Sequence, residues 1–304
     1  ITVEWMNSGI TFAGVFSGDV TLDVTASKLL HCFAIIDDDV NNATRLVLAE
    51  GDSTIILASG LNKEYHKITL EKTTDAGSYF TAKTLNYTGV LANKPADKEL
   101  KIEFIGDSVT SAKALYSSTE QSDEFLRTDS RLGFPSIVAR GLNADLSVIS
   151  RSGHAINQHE TKPRIMDWYN SILYTNKDNS YNGSADVVVV ALGTNDTWAY
   201  IDENGTYTDP NGELVSGIKA LLTQVRATNP NATIVFTYGM MDNRIANIYK
   251  TAVEGWATDN SDANTYYLAL TRGEYCTGDD GHPNPEGHAY NANKIITFLR
   301  GKGF

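Results

Sequence analysis

The chain is 304 residues long, 41% hydrophobic and 20% charged, with a formal charge of −12 at pH 7. That length exceeds what one core usually fills, so two domains are expected, and the composition is that of a globular chain rather than a disordered one. The excess of acid repels a phosphate backbone or an anionic membrane, so no nucleic acid and no membrane is expected as partner, and a neutral substrate suits the chain better.

The longest wholly apolar run, Val187–Leu192, falls far short of the roughly 20 residues that span a bilayer. The chain opens at Ile1 rather than Met, so any export signal is expected to have been removed or left out. Cys32 and Cys276 form a single possible pair, too few for a disulfide framework and without zinc-site spacing; two thiols and one bridge remain equally open. Sequons stand at Asn42, Asn86, Asn182, Asn195, Asn204 and Asn231, and they would accept glycans only in a eukaryotic secretory route.

From Val3 to about Val90 the chain runs in short alternating segments: Val20–Thr25, Leu29–Ile36, Arg45–Ala49, Thr54–Ala58, His66–Glu71 and Tyr79–Tyr87. β-Branched and aromatic residues punctuated by Gly, Asn and Asp predict antiparallel strands. Residues 1–92 are therefore expected to be an all-β domain, a β-sandwich or jelly roll whose apolar faces cover each other. The stretch Leu91–Lys98 is polar, holds Pro95 and has neither periodicity, which places a linker at 93–99.

Residues 100–304 change character. Apolar strands are predicted at Leu100–Ile105, Leu146–Ser150, Asp186–Leu192, Thr233–Tyr238 and Thr265–Leu270, with helices at Pro135–Leu142, Pro163–Tyr174, Leu214–Thr228, Arg244–Thr258 and Pro285–Arg300. Such alternation specifies an α/β domain with a parallel sheet, and the unalternating Val187–Val190 suits a central strand buried on both faces. Active sites in such sheets lie at the carboxyl ends of the strands.

Four segments fall there. Gly106-Asp107-Ser108 ends the first of these strands, where a Ser on a sharp turn at the head of a helix suits a nucleophile, although Asp and Ser are also common N-caps. Gly153, after the second strand, can bring a backbone N–H close to a ligand because it lacks a side chain. Gly193-Thr194-Asn195-Asp196 closes the third, and Asn195 can aim an amide N–H at an oxyanion or simply close an Asx-turn. Asp279-Asp280-Gly281-His282-Pro283 precedes the last helix, and a His restrained by Gly and Pro beside acids suits a general base.

The ordered set of Ser108, Gly153, Asn195 and His282 resembles the SGNH hydrolase superfamily over roughly residues 100–304. The resemblance implies a flavodoxin-like three-layer domain with Ser108 as nucleophile and His282 as base. It also implies an oxyanion hole made by the Ser108 and Gly153 N–H groups and the Asn195 amide. A jelly-roll domain ahead of such a domain, together with Gly281-His282-Pro283 followed by Gly287-His288, is similar to carbohydrate esterase family 2. That similarity implies a secreted acetyl esterase acting on acetylated plant polysaccharide or oligosaccharide such as xylan or glucomannan, without cofactor or metal. Two other readings are an SGNH lipase- or thioesterase-like enzyme for longer acyl chains and a carbohydrate-binding protein. The superfamily's usual acid, three residues before the His, would be Asp279, but family 2 enzymes that keep an acid tend to place it two before, so Asp280 is favoured behind His282, ahead of Asp279; some family members use a backbone carbonyl instead. Trp198 and Tyr200, on the loop after Asn195, are candidates to stack on a sugar ring; His154 and His159 read as structural or substrate-facing rather than as metal ligands, and His288, inside the last helix, as a satisfied structural histidine.

Overall fold

A computed structural model describes residues 1–177 and 180–304. Its contacts divide the chain into two compact units, Ile1–Asp97 with Leu173–Thr175, and Lys98–Ile172 with Asn176–Phe304. The second visit of the chain to the first unit, at Leu173–Thr175, falls inside the stretch read from sequence as one catalytic domain.

The first unit is an antiparallel, curled, six-stranded sheet. Its strands are β1 (Thr2–Val3), β2 (Gly9–Ala26), β3 (Leu30–Ile36), β4 (Thr44–Leu48), β5 (Gly51–Lys72) and β6 (Phe80–Leu91), ordered β1-β6-β2-β5-β3-β4. Two strands are much longer than the sequence predicts: Thr54–Ala58 and His66–Glu71 are parts of one β5, and Val20–Thr25 is the end of β2. The cause is Gly18 and Gly60, both at positive φ, where register shifts interrupt the β2–β5 ladder without ending it. Asp19 accepts from the Gly60 N–H at 2.9 Å and seals the irregularity. Its core buries Phe16, Leu22, Leu30, Ile68, Leu70 and Phe80. At one end the Glu4 carboxylate, 1% exposed, accepts from the backbone N–H and hydroxyl of Thr175 at 3.0 and 2.9 Å, and Trp5 meets Tyr174 edge-to-face.

The second unit holds a five-stranded sheet of β7 (Leu100–Gly106), β8 (Ala144–Ser150), β9 (Val187–Ala191), β10 (Thr233–Tyr238) and β11 (Thr265–Ala269), ordered β11-β10-β9-β7-β8. Every pairing is parallel, so counted within the unit the order is the flavodoxin-like 2-1-3-4-5, with the switch point between β7 and β9. The helices are α1 (Phe134–Gly141), a single turn α2 (Thr194–Thr197), α3 (Glu213–Thr228), α4 (Ala246–Asp259) and α5 (Pro285–Arg300). α1 packs with α5 and α3 with α4. Val187–Val190 have no exposed surface, as a central strand covered on both faces requires.

The helix expected over Pro163–Tyr174 is absent; only a 3₁₀ turn, Ile165–Asp167, forms there. The backbone groups it would need are spent elsewhere: Ala155 donates to the Pro163 carbonyl at 2.9 Å and accepts from the Ile165 N–H at 3.0 Å. Cys32 and Cys276 are both free thiols.

Candidate active site

Gly106, Ser150 and Ala191 stand level across β7, β8 and β9, so the segments leaving these strands begin from one edge of the sheet. Ser108, Gly153 and Asn195 lie two to four residues beyond that edge. Gly106 must be glycine because a Cβ there would sit 1.8 Å from the Thr110 hydroxyl oxygen. The fully buried Thr110 in turn donates to the Ala191 carbonyl of β9 at 3.4 Å.

No regular helix follows Ser108, contrary to the sequence expectation. Asp107 accepts from the Val109 N–H at 3.0 Å, and the chain continues in turns, with Ala112 and Ala114 at φ 48° and 57°. Turn geometry rather than a helix dipole therefore presents the Ser108 hydroxyl. The Asp107 carboxyl is itself driven up to about 7, first by burial and then by the charge of Asp196.

The Ser111 hydroxyl meets that of Ser150 at 2.8 Å, tying the Ser108 turn to the end of β8. Beyond it, Gly153 adopts φ 76°, and a Cβ there would meet nothing within 4 Å, so its backbone faces open space. Gly193, at φ 117°, leads into α2; its carbonyl accepts from the Tyr249 hydroxyl at 3.0 Å and from the Thr197 hydroxyl at 2.8 Å. Asn195 donates one amide hydrogen to the His154 carbonyl at 2.8 Å, which leaves the amide's second hydrogen available and binds the Gly153 and Asn195 segments together. The neighbouring Asp196 is fully buried and accepts from the Ile156 and Asn157 N–H groups and from His159 Nε2, at 2.8, 3.0 and 3.1 Å. His159 is thus engaged structurally, and Tyr200 is buried, its hydroxyl accepting from the Asn157 amide at 3.0 Å.

His282 reaches Ser108 from the last loop: its Nε2 lies 2.8 Å from the Ser108 hydroxyl oxygen. Asn284 caps α5 through the Gly287 N–H at 2.9 Å, with Pro285 in the first turn, so this loop ends on a rigid start. Behind the ring, Nδ1 lies 2.9 Å from the Asp279 backbone carbonyl. The carbonyl only accepts, so Nδ1 carries the hydrogen and Nε2 turns its lone pair to the Ser108 hydroxyl. Neither carboxylate takes that bond: Asp279 turns its side chain to Arg127 at 2.6 Å, and Asp280 lies on the wall of an adjoining cleft. Burial pulls His282 below the ordinary histidine range, with Lys113 acting the same way, while the Asp279 carbonyl and the charges of Asp280 and Asp279 oppose the shift.

That cleft, about 390 Å³, is also lined by Thr194, Trp198, Met241, Asp242, Arg244 and Arg272. Trp198 is 66% exposed, with the Arg244 guanidinium 4.8 Å from its ring centre, and Arg244 is itself held by Asp242. Sequence reasoning singled out neither Arg127 nor the Asp242–Arg244 pair; the latter's two-residue spacing after a strand was the available signal. Among the described residues no cluster of His, Cys, Asp and Glu is arranged to hold a metal.

Residues 104–290 match the GDSL-like Lipase/Acylhydrolase family. The chain is 30% identical to the cellulase/esterase CelE of Acetivibrio thermocellus over 82% of its own length, but spans only 32% of that relative. It is 26% identical to an acetylxylan esterase / glucomannan deacetylase of Cellvibrio japonicus, covering 87% of this chain and 79% of the relative. A solved family two carbohydrate esterase from Clostridium thermocellum, in complex with cellohexaose, superposes with a TM-score of 0.86 at 25% identity, over 99% of this chain and 94% of that one. The chain belongs to the GDSL-like lipase/acylhydrolase family, with the two-unit architecture of the family 2 carbohydrate esterases.

Proposed function

We propose that this protein is a carbohydrate acetyl esterase that removes O-acetyl groups from plant cell-wall polysaccharide of the xylan or glucomannan type. The observation that carries the reading is His282, with Nε2 on the Ser108 hydroxyl and Nδ1–H on the Asp279 carbonyl. In that arrangement Nε2 takes the Ser108 proton as Oγ attacks the acetyl carbonyl carbon. The tetrahedral oxyanion is met by the Ser108 and Gly153 N–H groups and by the second amide hydrogen of Asn195. Collapse expels the sugar oxygen, which leaves with the proton from Nε2; water then attacks the acetyl-serine by the same route, releasing acetate and restoring Ser108. Burial, by lowering the His282 pKa, favours the unprotonated Nε2 that this step requires.

The cleft beside the pair supports a sugar rather than a long alkyl chain. Its wall carries Asp242, Arg244, Arg272 and Asp280, which lose hydration against an acyl tail but hydrogen-bond to hydroxyls, and Trp198 offers an aromatic edge. The relative named acetylxylan esterase / glucomannan deacetylase supports the substrate class. Such a polymer lies outside cells, so we place the enzyme there; among the described residues no helix is long and apolar enough to cross a membrane.

The test is acetate release from acetylated xylan and glucomannan, with a 4-nitrophenyl ester series from acetate to octanoate. Wild-type protein is expected to release acetate and to fall steeply beyond the acetyl ester, whereas Ser108→Ala, with unchanged circular dichroism, is expected to be inactive on both. Activity that rises with acyl length would favour the lipase-like reading. Retention of most activity by Ser108→Ala would remove the nucleophile assignment.

A further inference from the structure

Every polar group of Asp279 is engaged, and each with a different segment. Its N–H donates to the Ala114 carbonyl at 3.1 Å. Its carbonyl accepts from the His282 N–H at 3.1 Å and from Nδ1 at 2.9 Å. Its carboxylate meets Arg127 Nη1 at 2.6 Å, with the two side chains 35% and 13% exposed. Arg127 is anchored in turn: Nε donates to the Gln121 carbonyl at 2.7 Å and Nη2 to that of Ser122 at 3.0 Å, while its own carbonyl accepts from the Leu115 N–H at 2.8 Å. The guanidinium is thus held at two of its nitrogens, and the Arg127 main chain at its carbonyl, before the side chain reaches Asp279. The loops approach so closely that a Cβ on Gly278 would lie 2.1 Å from the Ala114 carbonyl oxygen.

A backbone carbonyl is a less secure anchor for a histidine than a carboxylate, because one peptide-plane rotation turns it away. Here the rotation has a driving force. Asp280 sits at φ 52°, a region that costs a non-glycine residue, and flipping the Asp279–Asp280 peptide would relieve it while carrying the carbonyl off Nδ1. The Arg127 ion pair pins the side chain of the residue whose carbonyl would move.

We infer that Arg127 is a positioning residue for the base: by gripping the Asp279 carboxylate it locks the Asp279 carbonyl onto His282 Nδ1 and so holds Nε2 on Ser108. The acid of this Ser–His system therefore acts at one remove, through its own main chain. The inference rests on the esterase reading above.

The test compares wild type, Arg127→Gln, the near-isosteric Asp279→Asn and the double variant. Readouts are 4-nitrophenyl acetate kinetics across pH 5–8 and ¹⁵N chemical shifts of His282, with Lys113, Asp279 and Asp280 as the charged groups that also bear on the ring. Each single variant is expected to lose about 10- to 100-fold in kcat, as for a displacement on the order of 1 Å at a reacting group, with KM changed less than about twofold. The double variant should be no worse than the more damaged single one, since both remove the same link, and the His282 Nδ1–H tautomer should lose population in all three. Folded variants with kcat within about twofold of wild type, or with lowered kcat but unchanged His282 shifts, would overturn the proposal. If Arg127→Gln does not fold, Asp279→Asn decides alone. The shifts need no turnover, so this result stands apart from that of Ser108→Ala.

Discussion

His288 gives the chain a measurable weakness toward acid. It is fully buried in α5, its Nδ1 accepts the Phe134 N–H at 3.1 Å, and its ring stacks on Phe134 with centroids 5.8 Å apart. Nε2 has no hydrogen-bond partner among the described residues. Burial, with a lesser push from His282, lowers its pKa from the ordinary 6.5 to about 3. The folded state therefore refuses a proton that the unfolded chain accepts below 6.5. The stability linked to this group is complete above that pH and is lost progressively as the pH falls toward 3. Between 6.5 and 5 the loss is about 1.5 units at about 1.36 kcal/mol each, or about 2 kcal/mol. His288→Asn keeps an acceptor for the Phe134 N–H but cannot titrate, so it should be less stable at pH 7 through lost packing yet fall less steeply with acid. Urea unfolding at pH 7, 6 and 5 measures both slopes. His282, depressed in the same direction, and Asp107, raised and so opposite in sign, are present in both proteins and cancel in the comparison. Parallel losses of stability between pH 7 and 5 would refute the reasoning.

Two further outcomes follow from the geometry. Gly193→Ala would force a Cβ to 2.5 Å from the Tyr249 hydroxyl oxygen at φ 117°; backbone strain and the weakened Tyr249 bond should cost about 2–4 kcal/mol and lower kcat as Asn195 shifts, read by thermal unfolding and aryl acetate kinetics. Trp198→Ala, at a residue 66% exposed, should leave stability within about 0.5 kcal/mol; KM for acetylated polysaccharide should rise on the order of tenfold, while the constants for the small aryl acetate hold steady.

The parts of the site that sequence displays are those in which a residue type does the work. Gly106-Asp107-Ser108 at the end of β7 and His282 in its Gly- and Pro-restrained loop are legible because a hydroxyl and an imidazole, brought together at 2.8 Å, are visible as residue types. The partner of His282 could not be read, since Asp279 contributes to the ring an atom that every residue possesses. Arg127 was equally hidden, 152 positions from Asp279 in sequence and in a polar stretch without period. The sheet of the second unit was clear from its apolar runs, whereas the missing helix at Pro163–Tyr174 was decided by backbone bonds to Ala155, which no local pattern announces. In the first unit, Gly18 and Gly60 broke the alternation, so that β5 read as two short strands and only the end of β2 was seen.

The Leu173–Thr175 segment that completes the first unit has a consequence for the order in which the protein is made. Glu4 is synthesised well before Thr175, yet the two donors that its buried carboxylate meets belong to that residue. Residues 98–172 must leave the ribosome before that segment does, roughly 4–15 s at translation rates of about 5–20 residues per second. During that interval the amino-terminal sheet waits with Glu4 unsatisfied and Trp5 without Tyr174. Its final closure is thus timed by the chain that carries Ser108, and a fragment ending at Asp97 would keep that gap permanently.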